Sequence, residues 1–229
     1  MPSSFQERLS SIQTRISEAC RRCNRTPAEV QLLPVSKTFD ANAVRQVFSL
    51  GQHRFGENRV QEIRDKAPLL DDLPVEWVLI GHLQTNKAKD AAQLVTEVQS
   101  LDRLSLAQAL DKRLKKLDKT LSVLIQIKTS PEPSKFGLEP SQLLSFLEEL
   151  KAYPTLKPVG LMTLAVNSDN EEHVRACFRS LRALRDQAVQ AGHHAVQRLS
   201  MGMSGDFEWA IEEGSTEVRI GSLLFGERE

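Results

Sequence analysis

The sequence predicts a single-domain α/β protein, a (β/α)8 TIM barrel of parallel strands with one extra helix at its amino terminus. Strand-like apolar runs, eight in all, alternate with helix-like segments over 229 residues, about the length of a minimal barrel. No G-x-G-x-x-G fingerprint follows the first run, although an open nucleotide-binding sheet would favour one there. No linker, repeat or low-complexity segment interrupts residues 1–229, so we expect one domain.

The chain opens with an amphipathic helix over residues 3–23. Its apolar face, at spacings of three and four, consists of Phe5, Leu9, Ile12, Ile16 and Cys20. Ser3 or Ser4 can cap the first turn of this helix. The run at residues 30–35 is almost continuously apolar, which is typical of a strand buried on both faces.

The same alternation continues to the end of the chain. We expect the later strands at residues 53–56, 77–80, 96–100, 121–127, 156–163, 196–201 and 216–220. The helices between them have recognisable starts, since Asp40 and Asp102 can cap a first turn and Pro140 suits one. Gly51 is placed to end the helix that Asp40 begins, and residues 221–226 are expected to form one short helical turn.

Composition excludes several classes of function. Lys plus Arg equals Asp plus Glu at 30 each, so there is no basic field for a nucleic acid. Neither a membrane span nor a signal peptide is recognisable. The three cysteines have no disulfide-framework spacing, and no Cys or His pairs stand at zinc-ligand spacing. We therefore expect a cytoplasmic protein, a monomer, with no metal site, no nucleic-acid partner and no membrane partner.

Small polar residues follow the last two strands, where barrels of this class often bind phosphate. Residues 200–204 supply Ser200 and Ser204 with a glycine between them, and Gly221 and Ser222 follow the eighth strand. Together they would form a phosphate cup from two neighbouring loops, with help from the free N–H groups that begin a helix. Ordinary helix capping is the alternative interpretation.

Lys37 would project from the end of the first strand, beside the eighth strand in a closed barrel. A lysine there can form a Schiff base with an aldehyde, or it can be an ordinary solvated lysine. Arg219 favours a functional site, because a charge near the barrel mouth needs an acceptor. The acceptor could be a ring nitrogen of a ligand or Glu217, which shares its face of the strand.

Six short motifs, in order, resemble one known family. They are Val35-Ser36-Lys37-Thr38, Phe55-Gly56-Glu57-Asn58, Gly81-His82-Leu83-Gln84-Thr85-Asn86-Lys87, Gly160-Leu161-Met162-Thr163, Ser200-Met201-Gly202-Met203-Ser204-Gly205-Asp206 and Val218-Arg219-Ile220-Gly221. The chain thus resembles the pyridoxal phosphate homeostasis proteins, the YggS/PROSC family. That resemblance implies the barrel of the alanine racemase N-terminal domain, with pyridoxal 5′-phosphate as cofactor.

The resemblance also implies roles for individual residues. Lys37 would be the Schiff-base lysine, Arg219 would face the pyridine nitrogen and Asn58 would lie beside the ring. The residues implied to hold the phosphate are Ser200, Ser204, Gly221 and Ser222. The chain departs from the family pattern at His82 and at Phe136, which follows Lys135 where the family often has a serine; the second departure argues against a special role for Lys135.

A racemase of this fold type needs a second base, a tyrosine, opposite its lysine. The single tyrosine, Tyr153, is expected at the amino-terminal rim, the wrong end of the barrel for catalysis. We therefore expect a carrier that holds the cofactor, supplies apo enzymes that require it and maintains vitamin B6 homeostasis. The alternatives are a low-efficiency amino-acid racemase, a class I aldolase that uses Lys37, and an interaction protein that senses the cofactor.

Overall fold

Helices and strands alternate through the computed structural model, which describes residues 4–130, 132 and 136–226. The strands are β1 (Gln31–Pro34), β2 (Arg54–Glu57), β3 (Glu76–Leu79), β4 (Glu97–Leu101), β5 (Leu121–Gln126), β6 (Leu156–Met162), β7 (Arg198–Ser200) and β8 (Glu217–Ile220). The helices are α1 (Phe5–Arg22), α2 (Ala41–Ser49), α3 (Val60–Lys66), α4 (Ala88–Leu94), α5 (Leu104–Leu117), α6 (Leu143–Leu150), α7 (Glu171–Gln190), α8 (Phe207–Glu212) and α9 (Ser222–Phe225). Within these described residues no helix is long and apolar enough to cross a membrane.

The strands form one parallel sheet in the order β1-β8-β7-β6-β5-β4-β3-β2. An isolated pairing of Val35 with Gly56 joins its two ends, and the Ser36 N–H donates to the Gly56 carbonyl at 3.1 Å. The predicted barrel is therefore confirmed. Because β8 lies between β7 and β1, the loops after these three strands are neighbours at the carboxyl end of the barrel.

Two of the predicted helix starts are observed as expected. The Ser4 hydroxyl accepts from the Glu7 N–H at 3.2 Å while the Glu7 carboxylate accepts from the Ser4 N–H at 2.7 Å, which is a complete capping box. Ser3, the other candidate cap, lies outside the described residues. The Asp40 carboxylate accepts from the Ala43 N–H at 2.8 Å and so caps α2.

The prediction that Asp102 caps α5 is wrong. Arg103 occupies the cap position, and α5 begins at Leu104 without a side-chain cap. The Asp102 carboxylate instead accepts from the Arg103 guanidinium and lies 3.7 Å from His82 Nδ1. The Asp102 carboxylate therefore pairs with the neighbouring guanidinium instead of accepting from the first N–H groups of the helix, although aspartate is a favoured capping residue.

Charged side chains fill the amino-terminal half of the barrel interior. The Glu217 carboxylate is fully buried and accepts from Arg54 at 2.8 Å and from Arg198 at 2.7 Å. Glu97 accepts from the same two arginines. Burial opposes ionisation of Glu217, but Arg198 and Arg54 outweigh it and lower the pKa of this carboxyl. This network, which we call the charged plug, closes one end of the barrel, and the cavity lies at the other.

Candidate functional site

A cavity of about 800 Å³ lies at the carboxyl ends of the strands. Its wall comes from loops on both sides of the barrel, including those after β1, β2, β3, β7 and β8. Six residues singled out from the sequence line it, namely Lys37, Asn58, Ser204, Arg219, Gly221 and Ser222. A single space is therefore lined by an amine, an amide, a guanidinium and two hydroxyls.

Lys37 lies in a tight turn that follows β1. The Phe39 N–H donates to the Ser36 carbonyl at 3.0 Å, which makes Lys37 the second residue of the turn and Thr38 the third. Thr38 has φ +71°, a left-handed conformation that type II turns reserve mostly for glycine at this position. A β-branched residue rarely adopts it, so the turn carries backbone strain directly beside the candidate Schiff-base lysine.

A buried ion pair lies behind this turn. The fully buried Glu57 carboxylate accepts through Oε1 from Lys66 Nζ at 2.6 Å and from the Ser36 hydroxyl at 2.7 Å. Its other oxygen, Oε2, has no hydrogen-bond partner among the described residues. Burial raises the pKa of Glu57 to about 7, even though Lys66 and Ser36 favour the charged form. Glu57 immediately precedes Asn58, so β2 contributes to both the cavity wall and the support behind it.

Arg219 lies at the floor of the cavity. Its guanidinium donates to the Ser200 hydroxyl and to the Thr163 carbonyl, both at 2.8 Å. Of the two acceptors that the sequence left open for Arg219, a ring nitrogen and Glu217, the second is engaged by the arginines of the charged plug. Burial lowers the pKa of Arg219 to about 10, against the opposing effect of Glu217 and Asp206. The group therefore stays charged at neutral pH.

Ser200, one of the four residues expected to hold a phosphate, is not among the residues that line the cavity. It is fully buried as the last residue of β7, and its hydroxyl donates to Gln99 Oε1 at 2.7 Å. The Gln99 amide nitrogen in turn donates to Glu97 and Glu217, which can only accept. The Gln99 amide nitrogen therefore faces the two carboxylates, and its oxygen accepts from the Ser200 hydroxyl. The Ser200 oxygen in turn accepts from Arg219. Ser200 thus links the charged plug to the cavity floor.

The small polar residues after β7 and β8 approach each other closely. The Leu223 N–H lies 3.5 Å from the Ser204 hydroxyl, which joins the two loops. A side chain at Gly221 would meet the Val35 carbonyl oxygen at 3.4 Å, so this loop also lies against the end of the first strand. The positions that could receive an anion are therefore next to the strand that delivers Lys37.

Part of the wall was not predicted from the sequence. Gln126 lines the cavity and donates to the Phe136 carbonyl at 3.0 Å, and the Phe136 ring stacks on His82 with centroids 4.0 Å apart. A polar residue at the carboxyl end of β5, after the apolar run at residues 123–125, was the available signal for Gln126. Lys135 lies outside the described residues. Tyr153 precedes β6 and lies at the opposite rim, as expected.

Comparison with protein families identifies the barrel. The model of the family described as "Alanine racemase, N-terminal domain" matches residues 8–229. The chain belongs to this family. The fold that the six short motifs implied is therefore confirmed, and relatives of 40–45% identity over nearly the whole chain also confirm the resemblance to the pyridoxal phosphate homeostasis proteins.

Similar members of the family extend over nearly the same length. A pyridoxal phosphate homeostasis protein of Aquifex aeolicus is 45% identical over 97% of this chain and 98% of its own. The protein of the same description from Vibrio cholerae is 40% identical over 99% of this chain and 97% of its own. The Escherichia coli K12 protein is also 40% identical, over 96% and 95% of the two chains.

Solved structures give the same picture. PipY of Synechococcus elongatus, with PLP bound, has a TM-score of 0.86 and 35% identity over 97% of this chain and 100% of its own. An alanine racemase of Clostridium difficile has a TM-score of 0.75 at 16% identity, covering 98% of this chain and 56% of the racemase. The racemase shares the fold, but its chain extends well beyond the part that this family member matches.

Proposed function

We propose that the protein binds pyridoxal 5′-phosphate, holds it through Lys37 as a Schiff base and maintains the intracellular supply of this form of vitamin B6. The observation that carries the proposal is the convergence of Lys37, Arg219 and the loop pair Ser204 and Gly221 on one cavity. The solved structure of PipY with PLP bound, at 35% identity over nearly the whole chain, supports the choice of ligand.

The chemistry of the residues fits the aldehyde, the phosphate and the ring of this cofactor. When bound, pyridoxal phosphate supplies an aldehyde that reacts with amines and a ring that withdraws electrons. Lys37 can hold the aldehyde carbon, while Ser204 and Ser222 offer hydroxyls to the phosphate. Asn58 lines the same cavity after β2, next to the strand that delivers Lys37, where it can contact the ring.

Arg219 favours a carrier over an efficient catalyst. A guanidinium has donors and no acceptor, so it can only donate to a ring nitrogen and leaves that nitrogen without a proton. A pyridine ring without that proton withdraws electrons poorly, so Arg219 would lower the reactivity of a cofactor held by Lys37. No tyrosine lines the cavity among the described residues, so a second base of the racemase kind is not supplied there.

The test is visible absorption combined with chemical trapping. Purified protein mixed with pyridoxal phosphate should absorb in the visible, and borohydride followed by peptide mapping should label Lys37. The Lys37→Ala variant should lose both signals, while Lys115→Ala, which removes an amine from α5 far from the cavity, should keep them. Labelling of a different lysine in the wild type would refute the assignment of Lys37.

Transfer to recipients forms a separate part of the proposal. Protein loaded with cofactor should activate an apo enzyme that depends on pyridoxal phosphate while free cofactor is trapped, and failure to do so would leave a buffer without delivery. Amino-acid racemisation that disappears in Lys37→Ala would favour the low-efficiency racemase instead. We further propose a cytoplasmic monomer, which light scattering and cell fractionation would test.

A further inference from the structure

The turn that carries Lys37 is held from both sides by one short helix and one strand end. The Ser36 carbonyl accepts from Lys66 Nζ at 2.8 Å, and the Thr38 N–H donates to Glu62 Oε2 at 2.8 Å. The Ser36 hydroxyl donates to Glu57. The residues immediately before and after Lys37 are thus both anchored, while Lys37 itself lines the cavity.

The anchoring groups are arranged as one unit. Glu62 and Lys66 are four residues apart on α3 and therefore lie on the same face of that helix. Lys66 Nζ is 2.6 Å from Glu57 and 3.8 Å from Glu62, so one ammonium joins two carboxylates. We call Glu57, Glu62 and Lys66 the turn clamp.

Stability alone does not account for the turn clamp. Burying an ion pair removes charges from water, and well-packed apolar residues of similar size often stabilise a fold as well or better. Here Glu57 and Lys66 are almost wholly buried, and one oxygen of Glu57 lacks a hydrogen-bond partner among the described residues. An ionisable pair that is retained under these conditions is explained better by what it positions.

Strain in the turn identifies what is positioned. Thr38 adopts φ +71° although it is β-branched and exposed, so no packing of its own side chain compensates for this conformation. The hydrogen bond from its N–H to Glu62 holds the backbone in that state. Without it, the third residue of the turn can relax toward a common conformation, and the direction of Lys37 changes with it.

We propose that Glu62 and Lys66, with Glu57, are positioning residues that hold the Ser36–Thr38 turn so that Lys37 faces the cavity. The inference deepens the proposed function and rests on it, since the value of a directed Lys37 is its reaction with the cofactor aldehyde. None of the three clamp residues lines the cavity. They act through the backbone on either side of the lysine.

The experiment compares Glu62→Ala with Glu62→Gln, which keeps an oxygen that can accept from Thr38. Two quantities are measured on the full chain: hydrogen exchange of the Thr38 amide without cofactor, and the rate of borohydride trapping of pyridoxal phosphate at Lys37. Glu62→Ala should speed the exchange by about tenfold, the loss of one charge-assisted hydrogen bond. It should also slow the trapping by about tenfold to a hundredfold through misplacement of the amine. Glu62→Gln should stay close to the wild type.

Three further variants separate positioning from general damage. Lys66→Met should slow trapping at Lys37, whereas Arg64→Met, which removes one positive charge from an exposed position of the same helix, should not. Adding Thr38→Gly to Glu62→Ala should recover trapping in part, because glycine adopts the left-handed conformation without strain. A merely structural role for Glu62 would give no such recovery.

The outcomes are distinguishable. Trapping at Lys37 that is the same in Glu62→Ala, Lys66→Met and Arg64→Met would overturn the turn clamp. If the wild type is not modified at Lys37 at all, the proposed function fails, and the exchange of the Thr38 amide alone decides the clamp. Faster exchange in Glu62→Ala but not in Glu62→Gln would then still support it, and equal exchange would refute it.

Discussion

Replacing Glu57 with glutamine should make the variant gain stability relative to the wild type as the pH rises. Glu57 is fully buried at the end of β2 with Lys66 and the Ser36 hydroxyl on one oxygen. Burial raises the pKa of this carboxyl from 4.5 to about 7, since the neighbouring groups compensate only part of the lost hydration. Glutamine cannot ionise, so the substitution removes this titration.

The sign follows from proton binding. Between 4.5 and about 7 the folded protein keeps a proton that the unfolded chain has released. The stability contributed by Glu57 is therefore fully present below 4.5 and is lost as the pH rises through about 7. The stability that Glu57 loses over the whole titration is about 3 kcal/mol as an upper bound, and about 2 kcal/mol of it is lost between about pH 5.5 and pH 8.

Urea unfolding of both proteins across this pH range measures the effect. The free energy of unfolding of Glu57→Gln minus that of the wild type should rise by about 2 kcal/mol from about pH 5.5 to pH 8, whatever its absolute value. Glu148→Gln is a control without this dependence, because the hydrogen bond from Lys151 lowers the pKa of exposed Glu148, and its carboxyl is therefore ionised in both the folded and the unfolded state throughout this range. A difference for Glu57→Gln that is constant or falls with pH would refute the reasoning and mean that Lys66 outweighs burial.

Three further substitutions test the cavity and its floor. Ser200→Ala should lower the free energy of unfolding in urea by about 1–3 kcal/mol, because it leaves Gln99 Oε1 without its donor in the barrel interior; an unchanged value would contradict the described network. Ser204→Ala should change the free energy of unfolding by no more than about 0.5 kcal/mol and weaken pyridoxal phosphate binding about tenfold in equilibrium dialysis. If instead Ser200→Ala weakened binding and Ser204→Ala did not, Ser200 would be the phosphate ligand. Gly81→Ala would place a Cβ 2.1 Å from the Asn58 carbonyl oxygen, so that backbone must move and cofactor affinity should also fall about tenfold; unaltered affinity would remove Asn58 from the site.

The cavity could be located from the sequence because its two main signals are local. An apolar run followed by a polar turn identifies a strand end, and parallel strands in a barrel bring their ends together. This was sufficient to predict that Lys37 and Arg219 line one space, which they do. It was not sufficient for Ser200, since a serine on the last residue of a three-residue strand can face the cavity or the barrel interior. The choice depends on Gln99, which is distant in the sequence.

The charged plug could not be predicted in the same way. Arg54, Glu97, Arg198 and Glu217 begin their strands, where an exposed charge at a rim is the ordinary expectation. Only the closed barrel brings two carboxylates and two guanidinium groups to interacting distance. Each of these charges would be costly to bury alone, so their burial is explained only when all four are considered together.

Closure of the barrel also links the two ends of the candidate site. Lys37 follows β1 and Arg219 belongs to β8, and these strands pair in register with Leu33 opposite Arg219. The distance from amine to guanidinium is therefore fixed by contacts between the beginning and the end of the chain. Arg219 is held in place by the charged plug, through hydrogen bonds that run by way of Gln99 and Ser200. On the Lys37 side the turn clamp of α3 has this role. A site built in this way holds its amine and its guanidinium in fixed positions, as a binding site for one particular ligand requires.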